Sequence, residues 1–268
     1  MMHAQPRSDS PRGESPPSES AIAPAAREAL QRAIAQVNQL VLGKPREVQL
    51  AFACLLAGGH LLIEDLPGLG KTTLARALAA TLGLNFQRMQ FTADLLPSDI
   101  LGVSVYEQDN HSFRFHQGPV FTQLLLADEI NRATPKTQSA MLEAMQEKQV
   151  TAGGEIRKLE RPFFVMATQN PIEQEGTYPL PEAQLDRFFY KLVVNYSGRE
   201  ELAEILNRTT AGHDPKVNAV LDAQTILQHQ ELVRQVVIAP HVQDYAIRCT
   251  LATHPEGEYA IPMVNQFL

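Results

Sequence analysis

Lys71 and Thr72 close the run "LLIEDLPGLGKT", an apolar segment that leads through a glycine-containing loop into the helical stretch "KTTLARALAATL". That order suits phosphate binding. Backbone N–H groups from Gly68 through Thr72 can converge on an oxyanion, and the helix start adds its partial positive charge. Lys71 would neutralise β- and γ-phosphates, and the Thr72 hydroxyl would ligate Mg²⁺. The loop assigned to the nucleotide comprises Asp65, Leu66, Pro67, Gly68, Leu69, Gly70, Lys71, Thr72 and Thr73. It departs from G-x-x-x-x-G-K-[ST] at Asp65, which stands where the first glycine is expected. Asp tolerates unusual turn conformations better than most residues, so the match is weakened and not broken. Taken alone, the stretch also reads as an ordinary strand–turn–helix.

Three further places carry side chains that would complete such a site. "QLLLADEINRA" (123–133) ends an apolar run in Asp128 and Glu129. Two acids at the end of a buried strand are costly unless they bind something. Asp128 suits the shell of a metal ion and Glu129 suits polarising an attacking water. An isolated Asp-Glu pair would more readily be a solvated strand end; some 57 residues beyond Lys71 that reading weakens. "FFVMATQNP" (163–171) brings Thr168, Gln169 and Asn170 to a strand end, where the neutral amide of Asn170 could hold a water or the γ-phosphate. Asn-Pro alone is only a turn signal. Arg187, in "LPEAQLDRFFYKLVV" (180–194), is expected on a helix just before the last strand. Without context it reads as a surface partner of Asp186 or Glu182.

The elements that must position these residues alternate. Apolar runs at 60–64, 86–91, 123–128, 162–167 and 190–194 read as strands, several nearly continuous in hydrophobicity, as parallel strands covered on both faces are. Helices are expected at 25–41, 45–57, 71–82 and 135–147 between or before them. The alternation predicts an α/β fold with a parallel sheet. An excursion at 94–120 holds two extended pieces, "GVSVYE" and "SFRFH". Residues 147–160 read as a hairpin around Gly153-Gly154. After 199 only helices are expected, at 199–207, 223–236 and 239–252, as in a small helical domain. Three domains follow: a disordered tail over 1–24, with five of the 18 prolines and five serines; a nucleotide-binding α/β domain over 25–198; and a partial helical lid over 199–268.

Composition sets the outer limits. Of the 268 residues 44% are hydrophobic and 20% charged, ordinary for a globular chain. The net charge of −7 argues against a nucleic-acid grip. Cys54 lies in "LAFACLLA" and reads as a small buried hydrophobe. Two distant cysteines make neither a disulfide framework nor a metal site, which fits a reducing, cytoplasmic setting. No apolar run is long enough to span a membrane, and the polar N-terminus lacks the apolar core of a signal peptide.

In order and spacing these blocks resemble the AAA+ ATPases and, among them, the MoxR family. The resemblance runs from about residue 35 to 268. It rests on "EDLPGLGKT", "GPVF" (118–121), "LLLADEINRA", "ATQNP" and "GTYPLPEAQLDRF" (176–188). It implies a five-stranded parallel sheet with the sensor strand between the two motif strands, and a helical lid after it. The 94–120 excursion and the 147–160 hairpin match the inserts of the clade shared with magnesium chelatases and minichromosome-maintenance helicases. By the same resemblance Asn170 matches sensor 1, Arg187 matches an arginine finger reaching the neighbour's γ-phosphate, and Gly43 in "VLGKPREV" matches a segment lining the adenine pocket. Asp65 is then a family variant. A homo-oligomeric ring, usually a hexamer, with ATP and Mg²⁺ at its subunit interfaces is implied. So is a protein client, with von Willebrand factor A-domain proteins the favoured class. The lid of this family also carries a second sensing arginine after a segment similar to "IPMVNQFL"; the chain ends there, and Arg248 does not match that motif.

Three functions are compatible with these residues. The leading one is an ATP-hydrolysing, chaperone-like remodeller that helps a partner mature or take up a metal cofactor. A nucleotide-binding interaction module with little turnover is the second. The third is a DNA-translocating motor, suggested by Lys148, Arg157, Lys158 and Arg161 around the hairpin but opposed by Glu147, Glu155 and Glu160.

Overall fold

A computed structural model of the chain describes residues 24–64, 70–109, 111–170, 176–194, 198–211 and 217–267. The tail expected to be disordered lies outside them, save Pro24, which opens the first helix. Asp65, Leu66, Pro67, Gly68 and Leu69 lie outside them too.

Helices α1 (Pro24–Leu40) and α2 (Pro45–Leu56) precede strand β1 (Leu61–Glu64). Then come α3 (Lys71–Thr81), β2 (Phe86–Gln90), a short α4 (Pro97–Leu101), the hairpin β3 (Gly102–Glu107) and β4 (Ser112–Gln117), and β5 (Leu124–Asp128). A 3₁₀ turn at Ile130–Arg132 leads to α5 (Pro135–Glu147), the hairpin β6 (Gln149–Ala152) and β7 (Glu155–Lys158), and β8 (Phe164–Gln169). A short α6 (Glu182–Leu185), β9 (Tyr190–Val193), and helices α7 (Arg199–Ala211), α8 (Ala223–Arg234), α9 (Pro240–Leu251) and α10 (Pro262–Phe267) complete the chain.

The five long-range strands form one parallel sheet in the order β2-β5-β8-β1-β9. Strand β8, expected to lead to the sensor residue, thus lies between β5 and β1, as the resemblance implies. Side chains alternate across a strand, so a sheet covered on both sides needs apolar residues at every position. Leu124 and Leu126 of β5, Phe164 and Met166 of β8, and Leu61 and Ile63 of β1 join the core beneath α1, α2 and α3. Their neighbours Leu125, Ala127, Val165, Ala167 and Leu62 join the core beneath α5. Cys54 is fully buried in the first layer, as expected of a small hydrophobe. Among the described residues no helix is long and apolar enough to cross a membrane.

The bounds of β8 differ from expectation in an instructive way. β8 was expected over 162–167 and instead runs from Phe164 to Gln169. It extends past its apolar run because the polar side chains at its end find partners on β5 and β1, as described below. β2 lies at the sheet edge, and Gln87, Arg88 and Gln90 are exposed. The 94–120 excursion closes on itself as an antiparallel hairpin. Its base is tight: a side chain on Gly118 would run into the Ile100 carbonyl, and one on Gly102 into the His116 carbonyl. The Arg157 guanidinium of the second hairpin stacks 4.0 Å from the Phe115 ring of the first.

The chain divides into two compact units. One spans Ile22–Val233 and holds the sheet. Within it, Arg208 of α7 donates to the Gln39 carbonyl (2.6 Å), and Gln230 of α8 donates to the Leu55 carbonyl (2.7 Å). Residues 234–267 belong to the other. There Arg248 pairs with Asp244 at 2.9 Å along α9, and the Glu256 N–H donates to Asn265 Oδ1 (2.9 Å).

His60, just before β1, ties the second core together. The Val165 N–H donates to its Nδ1 (3.1 Å), so the proton sits on Nε2, which donates to the Met145 carbonyl (3.1 Å). The ring is 5% exposed, and burial pushes its pKa down to about 4. The unfolded chain binds a proton near pH 6.5, so stability is whole above that pH and is lost as pH falls toward 4. A single group shifted this far contributes a loss of about 3 kcal/mol by pH 4. Urea unfolding at pH 7 and pH 4 should show a smaller pH-dependent loss in His60→Gln than in the wild type. Equal losses would remove His60 as the cause.

Candidate functional site

The end of the candidate site expected to bind phosphate lies between β1 and α3. Gly70 sits at φ +88°, a conformation open to glycine, and caps α3 with no side-chain hydrogen bond to its first turn. Glycine has no side chain to cap the N–H groups of that turn, and a helix start of this kind suits an anion. Lys71 and Thr72 occupy the first two helical positions, both half-buried, and Thr73 is exposed beside them.

The acidic end lies on the same face of the sheet. Asp128 follows Leu124 and Leu126 on the side of β5 that α3 covers. Asp128 is 7% exposed, and both of its carboxylate oxygens are engaged. The Thr168 hydroxyl donates to Oδ1 at 2.6 Å. Arg88, reaching across from β2, donates to Oδ2 from Nη2 (2.7 Å) and Nε (3.2 Å). Glu129 leaves the strand in a left-handed conformation, φ 57° and ψ 49°. Its N–H donates to the same Thr168 Oγ1 (2.8 Å), and its carboxylate meets Arg132 at 3.2 Å.

Buried polar side chains then fasten this turn to its surroundings. Asn131 donates from Nδ2 to the Asn170 carbonyl (3.3 Å), and the Tyr178 N–H donates to the Asn131 carbonyl (2.6 Å). Gln138 of α5 donates to the carbonyls of Ile130 (3.2 Å), Ala133 (3.1 Å) and Tyr178 (2.8 Å). Asn170 itself is 8% exposed at the end of β8. On the opposite face Glu64 accepts from Gln169 Nε2 (2.6 Å) and pairs with Lys191 (2.9 Å).

Arg187 is not helical. It lies in the turn after α6, because Phe188 is drawn into the core and the Phe189 N–H pairs with the His60 carbonyl (2.8 Å). The side chain is exposed at a cleft of about 480 Å³ that it shares with Gln184 and with Glu143 and Glu147 of α5. Among the described residues it has no ion-pair partner, so neither Asp186 nor Glu182 takes it up. Gly43, at φ +71°, lies at the turn between α1 and α2, against the Glu201 side chain of α7; a Cβ there would stand 2.9 Å from Glu201 Cγ.

The structure thus brings Asp128, Glu129 and Asn170 together around Thr168 and Asn131, places Lys71 and Thr72 at the start of the helix covering the same sheet face, and sets Arg187 on an exposed turn. The residues fit a magnesium–triphosphate group: helix N–H groups and an ammonium suit phosphate oxygens, and a hydroxyl and a carboxylate are hard oxygen ligands for the metal. Arg88, Thr168, Asn131 and Gln138 were not among the expected site residues. Their pairing depends on strand register and helix packing; only the polar end of "ATQNP" hinted at Thr168.

A parallel sheet in this order, a helix opening on Gly70-Lys71-Thr72 after β1, and an acidic pair ending the strand two places away define the core of an AAA+ P-loop ATPase. Residues 60–190 match the model of the ATPase family associated with various cellular activities (AAA). Over 261 residues the chain is 43% identical to the chaperone MoxR1 of Mycobacterium tuberculosis, covering 97% of this chain and 69% of that protein. It is 44% identical over 235 residues to YeaC of Bacillus subtilis, covering 87% and 73%. A crystal structure of a candidate ATPase from Cytophaga hutchinsonii superposes with a TM-score of 0.80 at 41% identity, over 86% of this chain and 70% of that one. The chain belongs to the MoxR family of AAA+ ATPases.

Proposed function

We propose that this MoxR-family chain binds and hydrolyses Mg-ATP at the interfaces of a homo-oligomeric ring, a hexamer by family resemblance, and uses the cycle to remodel a client protein. The observation that carries this reading is the arrangement of Asp128 and Glu129 at the end of β5, fixed by one threonine on the face that α3 covers. Lys71 and the first N–H groups of α3 would bind the phosphates, with Asp65 to Leu69 completing the cradle. Thr72 and Asp128 would hold Mg²⁺. Bound there, the metal neutralises charge on the transferring phosphoryl group. Glu129 would orient and deprotonate the attacking water, and Asn170 would hold that water or the γ-phosphate. Arg187, exposed and without an ion-pair partner among the described residues, would serve the neighbour's nucleotide, and Gly43 would border the adenine.

MoxR1 carries the name chaperone, which supports a protein client; a von Willebrand factor A-domain protein in the cytoplasm is the class the resemblance favours. Phosphate release with Mg-ATP tests the reading. Lys71→Ala removes a preorganised cation from the charge that develops in the transition state, and a loss of about 10²-fold or more is expected. Turnover in Lys71→Ala equal to the wild type would sink the proposed site.

A further inference from the structure

We infer that Thr168 is a positioning residue for both acids of the site, acting through its one hydroxyl. The hydrogen-bond directions are fixed by chemistry. The Glu129 N–H can only donate, so Thr168 Oγ1 accepts it, at 2.8 Å. The hydroxyl proton is then left for Asp128 Oδ1, 2.6 Å away, a length typical of a hydroxyl donating to an ionised carboxylate. One atom on β8 therefore sets the rotamer of Asp128 and holds the backbone of Glu129.

The second contact matters because of what Glu129 is doing. Its φ of 57° lies in a region sparsely populated by residues that carry a Cβ. Such a conformation persists only where the surroundings over-determine it. Here the left-handed turn aims the Glu129 side chain out of the strand, and its N–H would otherwise end without a partner beside a buried strand. Thr168 is fully buried, and its β-branch restricts χ1, so the hydroxyl has little freedom to leave. Arg88 holds the other oxygen of Asp128 from an exposed edge strand, but it touches nothing of Glu129 among the contacts described. Among the described residues, Thr168 alone has a hydroxyl that hydrogen-bonds to both.

The inference rests on the proposed ATPase reading for its kinetic arm and on the geometry alone for its exchange arm. The full chain is compared as wild type, Thr168→Val and Thr168→Ser, with Thr168→Ala replacing the valine variant where that does not fold. Turnover of Mg-ATP, binding of a fluorescent ATP analogue, and hydrogen exchange at the Glu129 amide in nucleotide-free protein are measured. In Thr168→Val we expect kcat to fall about 10²-fold, the scale of a misplacement of about 1 Å. Analogue affinity should stay within about threefold, because the phosphate cradle is elsewhere. Exchange at Glu129 should speed up about tenfold from loss of its acceptor. Thr168→Ser keeps the hydroxyl and should recover both turnover and protection. Wild-type turnover and protection in Thr168→Val would overturn the inference. So would a serine variant as impaired as the valine one, since packing and not the hydroxyl would then be the cause. A wild type that turns over no ATP would remove the hydrolysis reading, and the exchange data would still decide the role of Thr168.

Discussion

Glu129→Gln should bind nucleotide as the wild type does and release phosphate about 10²–10⁴-fold more slowly, the usual contribution of a positioned general base. The substitution isolates the carboxylate. Glutamine has nearly the same volume, and the turn is held through the backbone N–H, which donates to Thr168 whatever the side chain. What is lost beside basicity is the pair with Arg132, whose side chain is 48% exposed; an ion pair that open contributes less than about 1 kcal/mol. Folding should therefore be close to unchanged, so lost turnover would not be lost protein. Analogue binding and phosphate release measured on one preparation separate the two. A glutamine variant within a few-fold of wild-type turnover would mean that another group activates the water.

The sequence makes the fold legible where physical demands coincide. Strands buried on both faces need continuous apolar runs, so "LLLAD" and "FFVMA" could be read as parallel central strands, and "LLIE" before a loop as the strand leading into a phosphate site. The order of strands came from family resemblance; no local pattern specifies it. The end of β8 was misjudged because Thr168 and Gln169 break the apolar run, and they stay in the strand only by finding Asp128 and Glu64 on neighbouring strands. The same logic hid Arg88 and Gln138, whose partners lie 40 residues away in the cases of Asp128 and Tyr178. The acids of the site were legible by type and place. The groups that orient them were not, because register and helix packing decide what a polar side chain touches. Arg187 was assigned to a helix on the strength of "PEAQLDRF", but Phe188 is pulled inward and the helix ends at Leu185.

Its place on that turn gives Arg187 the other large expected effect. Arg187→Ala should lower phosphate release by about 10³–10⁵-fold, the range seen when an arginine finger is removed from a phosphoryl-transfer site. The side chain is exposed and borders a cleft with Glu143 and Glu147 without pairing to either, so its loss should change stability by less than about 0.5 kcal/mol, as for other surface positions. The decisive question is which nucleotide it serves. In a ring built from head-to-tail interfaces, each site would take Glu129 from one subunit and Arg187 from the next. Arg187→Ala and Glu129→Gln proteins, each inactive alone, would then complement on mixing. One junction in about four would join an intact Glu129 to an intact Arg187 if subunits mix randomly. Recovery of about a quarter of wild-type turnover is expected, rising with total protein concentration as rings form. If Arg187 acted within its own subunit, no junction could restore a site and the mixture would stay inactive. Since neither substitution should disturb the fold, an inactive mixture that binds nucleotide would exclude action in trans. Restored turnover would locate the reaction at an interface between two copies of the chain.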